Sequence, residues 1–219
     1  MLKNVILSTA IIFSFVLPSF AEELSPIKLP PPDLKGGKSL MQALQERRSS
    51  RDFSTKKLPV KVLSNLLWSA CGINRPDSGK RTAPSAVNWQ EIDVYIAMEE
   101  GLYLYDAKSH SLQPILKSDL RRETTRFLQP SRSSVAGAPL QLIYVADYSK
   151  MGFYIGKEEK KFYSAADTGF ISQNVYLYCA SEGLATVVRG MVDKDALAKA
   201  MNLRNNQQVV LVQTVGYPL

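Results

Sequence analysis

The period of the apolar positions changes several times along this chain, and each change marks an element. After Ser39, the residues Leu40, Met41 and Leu44 share one face of a helix, with Ser39 and Gln42 at capping-box spacing. Leu58-Pro59 opens a second helix. Val62, Leu63, Leu66, Leu67 and Ala70 recur there at helical spacing, and Gly72 is the expected left-handed stop. The pattern then becomes strict alternation: Ile92, Val94, Ile96 and Met98 predict a half-buried strand. Glu99-Glu100-Gly101 turns it into Leu102–Tyr105, and Asp106 to His110 turns that into Leu112–Leu116, a β-meander. A short charged helix is expected over Ser118–Phe127, followed by a small-residue loop over 128–138 of the kind that acts as a lid. Leu140 to Ala146 is nearly all apolar, as in a strand covered on both faces.

A long helix follows over Glu158–Glu182. Its C-terminal part (Phe170, Ile171, Val175 to Ala180) is apolar almost all round, which places it inside a core or at a subunit interface. Gly183 ends it and Leu184–Val188 is strand-like. Asp193 caps a last helix carrying Leu197, Ala200 and Met201, and Val209–Val215 reads as a buried strand. No repeats are visible. The expected fold class is α/β (α+β): a three-layer sandwich with a mixed, mainly antiparallel sheet flanked by helices.

The termini read differently. Lys3 precedes an apolar run from Val5 to Phe20, and Ser19-Phe20-Ala21 puts small residues at −3 and −1 before Glu22-Glu23. Residues 1–21 are therefore expected to be a cleaved signal peptide, and the mature protein periplasmic or secreted. An uncleaved anchor fits less well, because Pro18 interrupts the run and its exit is acidic. Residues 22–38 form a Pro-rich arm, with Pro26, Pro30, Pro31 and Pro32 before Gly36-Gly37. It is expected to be extended, without a core of its own, and either laid across a partner subunit or disordered. Residues 39–219 are then one domain.

Composition narrows the chemistry. The formal net charge of +7 is spread along the chain, and aromatics do not interleave the basic clusters as a nucleic-acid groove requires. Cys71 and Cys179 each sit in an apolar helical pattern and are expected to be free and buried. With one histidine, His110, in a polar turn where it is expected to be solvated, and no paired Cys or His motif, a metal site or a Ser-His-Asp triad lacks its raw material. Catalysis, if present, must then come mainly from a bound cofactor.

Two stretches carry candidate binding chemistry. Gly79 to Glu91 lies between a helix and a strand, at the rim of a sheet, where Ser, Asn and Gln side chains and backbone amides can converge on a planar polar ligand. Arg47-Arg48-Ser49-Ser50-Arg51 supplies three guanidinium groups, which bind phosphate through paired hydrogen bonds.

These stretches, with Ala166-Asp-Thr-Gly-Phe-Ile-Ser-Gln-Asn-Val-Tyr-Leu177, Gly183-Leu-Ala-Thr186 and Val215-Gly-Tyr-Pro218, resemble the FMN-dependent nitroreductase family in order and spacing across almost the whole mature chain. Leu66 to Arg75, with Gly79 to Ser85, is similar to a branch that includes dehydrogenases oxidising azolines in modified peptides. The resemblance implies a homodimer with two FMN sites at the subunit interface. It implies ping-pong hydride or electron transfer through flavin N5 with a small organic substrate such as a nitroaromatic or quinone. It assigns Arg47, Ser49 and Arg51 to the phosphate, ribityl chain and pyrimidine edge. Pro84, Ser85, Ala86 and Asn88 fall along the isoalloxazine, and Leu184, Ala185 and Thr186 against its other side. Many members continue past Gly-Tyr-Pro to a Lys or Arg that binds the phosphate. This sequence stops at Leu219, so Arg48 or Arg189 is expected to replace that cation.

On this reading no acidic or basic side chain is obligatory for catalysis, because the chemistry resides on the flavin. The rival expectation is a non-catalytic envelope protein of the same fold that binds flavin or another planar ligand. Export adds one more expectation. NAD(P)H is scarce outside the cytoplasm, so the electron donor is either NAD(P)H or an envelope redox partner.

Overall fold

The computed structural model describes residues 24–125 and 133–219. The elements in chain order are β1 (Ile27–Lys28), α1 (Leu40–Glu46), α2 (Val60–Cys71), β2 (Ile73–Arg75), β3 (Lys80–Arg81), β4 (Ile92–Ala97) and β5 (Leu102–Asp106). They continue with β6 (Ser111–Leu116), α3 (Ser133–Gly137), β7 (Leu140–Asp147), α4 (Lys157–Glu182), β8 (Ala185–Arg189), α5 (Lys194–Ala200) and β9 (Gln207–Gly216). Seven strands form one sheet in the order β1-β6-β5-β4-β7-β9-β8, while β2 and β3 make a separate hairpin. Every pairing in the large sheet is antiparallel.

Three layers follow from side-chain alternation. On one face Val94 and Ile96 of β4 and Leu140, Leu142 and Tyr144 of β7 pack with Leu66, Leu67 and Ala70 of α2 and Ile171, Val175 and Cys179 of α4. On the other, Tyr95 and Ala97 of β4 and Ile143 and Val145 of β7 pack with Leu197 of α5 and Met201 beyond it. All eight residues of β7, between β4 and β9, are buried. The strand β4 was expected to be half-buried. Its odd positions are instead covered by the second layer, and Asp93 at its start pairs with Lys150 (Oδ1–Nζ 2.6 Å).

Helix ends follow the sequence signals with one exception. Ser39 Oγ accepts from Gln42 N at 3.3 Å, and Asp193 Oδ1 accepts from Ala196 N at 3.0 Å. Gly183 is left-handed (φ +69). Gly72 is not left-handed but extended (φ −68, ψ 161), because the chain runs straight from α2 into β2. A side chain there would collide with Trp68, so glycine is required by close approach rather than by backbone sign.

The Pro-rich arm was expected to lack a core of its own and to cross a partner or be disordered. Its described part lies on its own domain. Ile27 and Lys28 pair with Leu112 and Ser111, extending the sheet, and Leu29 is buried. His110 fastens it. The ring was expected to be solvated, but it is half-buried, with Nε2 2.7 Å from Ser64 Oγ and 3.2 Å from Pro30 O, and Nδ1 2.9 Å from Tyr105 OH. A neutral ring with its proton on Nε2 satisfies all three contacts, and burial lowers the His110 pKa in keeping with that.

Of the helix expected over Ser118–Phe127, the described part contains a single 3-10 turn, Glu123–Thr125. The expected lid over 128–138 falls partly outside the described residues, and its described end is α3. The expected signal peptide lies outside them entirely.

Candidate functional site

The site begins where α1 stops. Arg47 leaves the helix with ψ 123, and the chain continues extended as a strap over Arg47–Ser54. The strap is threaded between β8 and the C-terminus: Ser50 N donates to Thr186 O (2.9 Å), Ser54 N to Tyr217 O (2.9 Å), and Phe53 bridges Pro218. Tyr176 of α4 organises the junction. Its hydroxyl accepts from Val188 N (2.9 Å) and lies 2.8 Å from Ser49 Oγ, while the Arg47 guanidinium sits over its ring at 5.3 Å.

These contacts bound a cavity of about 400 Å³ at the C-terminal end of α4. Its charged lining is Lys38, Arg47 and Arg48 against Glu46, and its floor is Leu184, Ala185 and Thr186. The strap and β8 segments singled out in the sequence therefore meet. Ser49 reaches the same cluster through Tyr176. Arg51 is exposed one step along the strap, its carbonyl accepting from Ser134 Oγ at 2.8 Å. The Thr186 hydroxyl is spent inside the sheet on Thr214 O (2.8 Å), so that residue offers backbone rather than side chain.

Arg189, one expected replacement for the phosphate-binding cation, is not in the cavity. Its guanidinium is buried and bonded to Thr124 O and Oγ1, Gln141 Oε1 (2.9 Å) and Thr214 Oγ1 (3.3 Å). Burial pulls its pKa down to about 10. This is a core group with four of its five N–H donors bonded, unable to reach a ligand without dismantling the interior. Lys38, from the arm, lines the cavity although nothing in its sequence surroundings marked it.

The second candidate stretch sits elsewhere. Ala86 N donates to Asp167 Oδ2 of α4 at 2.9 Å, and Gln90 N to Ser85 Oγ at 3.0 Å. Val87, Asn88 and Gln90 all have positive φ (50, 58 and 50). Three non-glycine residues in that region within four positions, one β-branched, store strain that the surrounding bonds must hold. Asn88 and Pro84 are exposed, and Trp89 meets Tyr163 edge-on at 5.7 Å. Asp167 and Tyr176 are nine residues apart on one helix, about 14 Å along its axis. Within a single chain the Pro84–Asn88 loop and the Arg47–Arg51 strap therefore do not converge on one slot.

Beneath the loop lies a pair of buried acids that the sequence reading did not single out. Glu91 is fully buried beside Asp167 and Ser164 of α4, and Asp167 is also buried. Burial first, then the Asp167 charge, raises the Glu91 pKa to about 7, and burial likewise raises that of Asp167. Burial and mutual repulsion favour a proton held on this pair.

Cys71 and Cys179 are free and buried, and burial pushes the Cys71 thiol up to about 11 and Cys179 further still.

Comparison with known proteins gives this geometry its family. A curated relative, a Methanocaldococcus jannaschii protein whose name places it among the nitroreductases, is 29% identical over 191 residues, covering 84% of this chain and 93% of that protein. A crystal structure from Ralstonia eutropha, described within the same group, superposes with a TM-score of 0.81 at 41% identity, over 89% of this chain and 90% of that one. The E. coli microcin synthetase complex McbBCD, solved with truncated pro-MccB17 bound, shares the fold at a TM-score of 0.67 and 20% identity, over 96% of this chain and 84% of its own. Membership in the family whose model matches residues 44–217 implies flavin-dependent oxidoreduction, and both the seven-stranded antiparallel sheet and the cation-lined cavity beside α4 are consistent with it. This chain belongs to the nitroreductase family.

Proposed function

We propose that this chain is an FMN-dependent oxidoreductase that works as a homodimer and exchanges electrons with a small organic substrate such as a nitroaromatic or quinone. The observation that carries the reading is the cavity where Arg47 and Arg48 face the Leu184–Thr186 floor at the end of α4. Bound FMN supplies the redox chemistry, and the polypeptide grips and tunes it.

The chain's own residues fit that group. Arg47 and Arg48 offer paired donors to a phosphate, and the Ser49 and Ser50 hydroxyls suit a ribityl chain. Arg51, further along the strap, would hold the pyrimidine edge, where a cation would favour the reduced form of the group. Leu184 and Ala185 give an apolar floor. The Pro84–Asn88 loop, about 14 Å away along α4, joins the same site when a second copy contributes it. Apolar surface left uncovered in one copy supports this pairing: Met41 of α1 is 74% exposed, Phe153 98% and Phe162 68%.

We read residues 1–21 as a cleaved export signal. The electron donor is then an envelope redox partner rather than NAD(P)H. Rapid reduction of the bound flavin by NAD(P)H, with the protein retained in the cytoplasm, contradicts this part.

The test of turnover is anaerobic photoreduction of the purified protein followed by a panel of quinones and nitroaromatics. Reoxidation in step with acceptor consumption is expected. Flavin that stays reduced with every acceptor contradicts the enzymatic reading and leaves a flavin-binding protein.

A further inference from the structure

We propose that Lys38, delivered by the Pro-rich arm, is the third cation of the phosphate-binding end of this cavity. The assignment rests on the flavin reading above and adds a residue from outside the matched family region of 44–217.

The chain around Lys38 is held against the end of α4. Gly37 has φ +94, and a Cβ on it would lie 2.6 Å from Ser181 Oγ, so only glycine allows the backbone this close. Lys38 N then donates to the same Ser181 Oγ at 2.7 Å. This clasp aims the side chain into the cavity, where the ammonium rests on the Glu46 carboxylate and 3.4 Å from Ala180 O. The side chain is one-third exposed (34%), so the ammonium is accessible to a ligand in the cavity.

The side-chain charges favour an anion, against the opposing C-terminal ends of α1 and α4. Lys38, Arg47 and Arg48 against Glu46 leave two positive charges on the lining. A phosphate monoester carries about −1.5 to −2 at pH 7. With Arg189 buried in the core, Lys38 is the lining cation that comes from outside the strap. A lysine suits an exchange of partners, since its four-carbon stem carries three rotatable donors. When phosphate enters, the ammonium moves from Glu46 to a phosphate oxygen, and Glu46 remains as the group that opposes loading.

The experiment compares equilibrium affinities for FMN and riboflavin, which differ only in the phosphate, using wild type, Lys38→Gln, Lys38→Arg and Glu46→Gln. Wild type is expected to prefer FMN. Lys38→Gln should lose about tenfold in FMN affinity while its riboflavin affinity holds within about twofold, and Lys38→Arg should restore the preference. Glu46→Gln should tighten FMN alone, an independent reading if Lys38→Gln fails to fold. An unchanged FMN preference in Lys38→Gln, or equal loss of both flavins, overturns the assignment; equal loss would mean that Lys38 merely anchors the arm. Wild type that binds both flavins equally overturns the phosphate subsite but leaves the flavin reading standing. Wild type that binds neither overturns both.

Discussion

Replacing Glu91 with Gln should stabilise this protein, and only at high pH. Glu91 is fully buried at the entrance to β4, against Asp167 and Ser164 of α4. Burial and the neighbouring Asp167 raise its pKa from 4.5 to about 7. An acid whose folded pKa is raised contributes stability that is complete below its unfolded pKa and is lost as pH rises through the folded value. At about 1.36 kcal/mol per pH unit, ionising Glu91 costs the folded state about 3 kcal/mol by pH 8.5 and under about 1 kcal/mol at pH 5. Gln has nearly the same shape and no charge to bury. The variant should therefore melt about 6–12 °C above wild type at pH 8.5, by the usual conversion for a chain of this size, and within a few degrees of it at pH 5. Thermal unfolding by circular dichroism at the two pH values decides the matter. A difference that does not change with pH, or a variant less stable at pH 8.5, would show that Glu91 carries no such charge penalty.

Two further outcomes follow from the same packing. Tyr176→Phe leaves Val188 N without its acceptor and Ser49 without its partner; it should cost about 1–3 kcal/mol in denaturant unfolding and weaken FMN binding, and unchanged values for both would remove Tyr176 from the site. Cys71 and Cys179 should resist a thiol reagent in the native protein and react together on unfolding, since burial disfavours both thiolates; fast labelling of either native thiol contradicts their placement.

What the sequence showed and what it hid divide along physical lines. Periodicity located β4 to β7, α2, α4 and β9, because burial on one face or two leaves a repeating apolar signal. It did not show that β4 is covered on both faces, since Tyr95 passes equally well for an exposed residue. The chain order of the strap, the loop and the Leu184 segment was legible as a family pattern. The separation of the loop from the other two was not, because it depends on how far apart Asp167 and Tyr176 fall along one long helix. Lys38 and Glu91 were hidden for a different reason. A lone lysine after two glycines and a lone glutamate before a strand have no periodicity, and their roles come from contacts with α4 that are distant in sequence. His110 misled because polar turns usually face water, whereas this one packs on the folded-back arm.

The most direct test of the central claim is the stoichiometry of flavin in the purified native protein, read by absorbance before and after denaturation, with the mass of the native particle measured on the same sample. A flavin held between two subunits predicts a yellow dimer that releases one FMN per chain. A colourless protein that takes up no added FMN would contradict it.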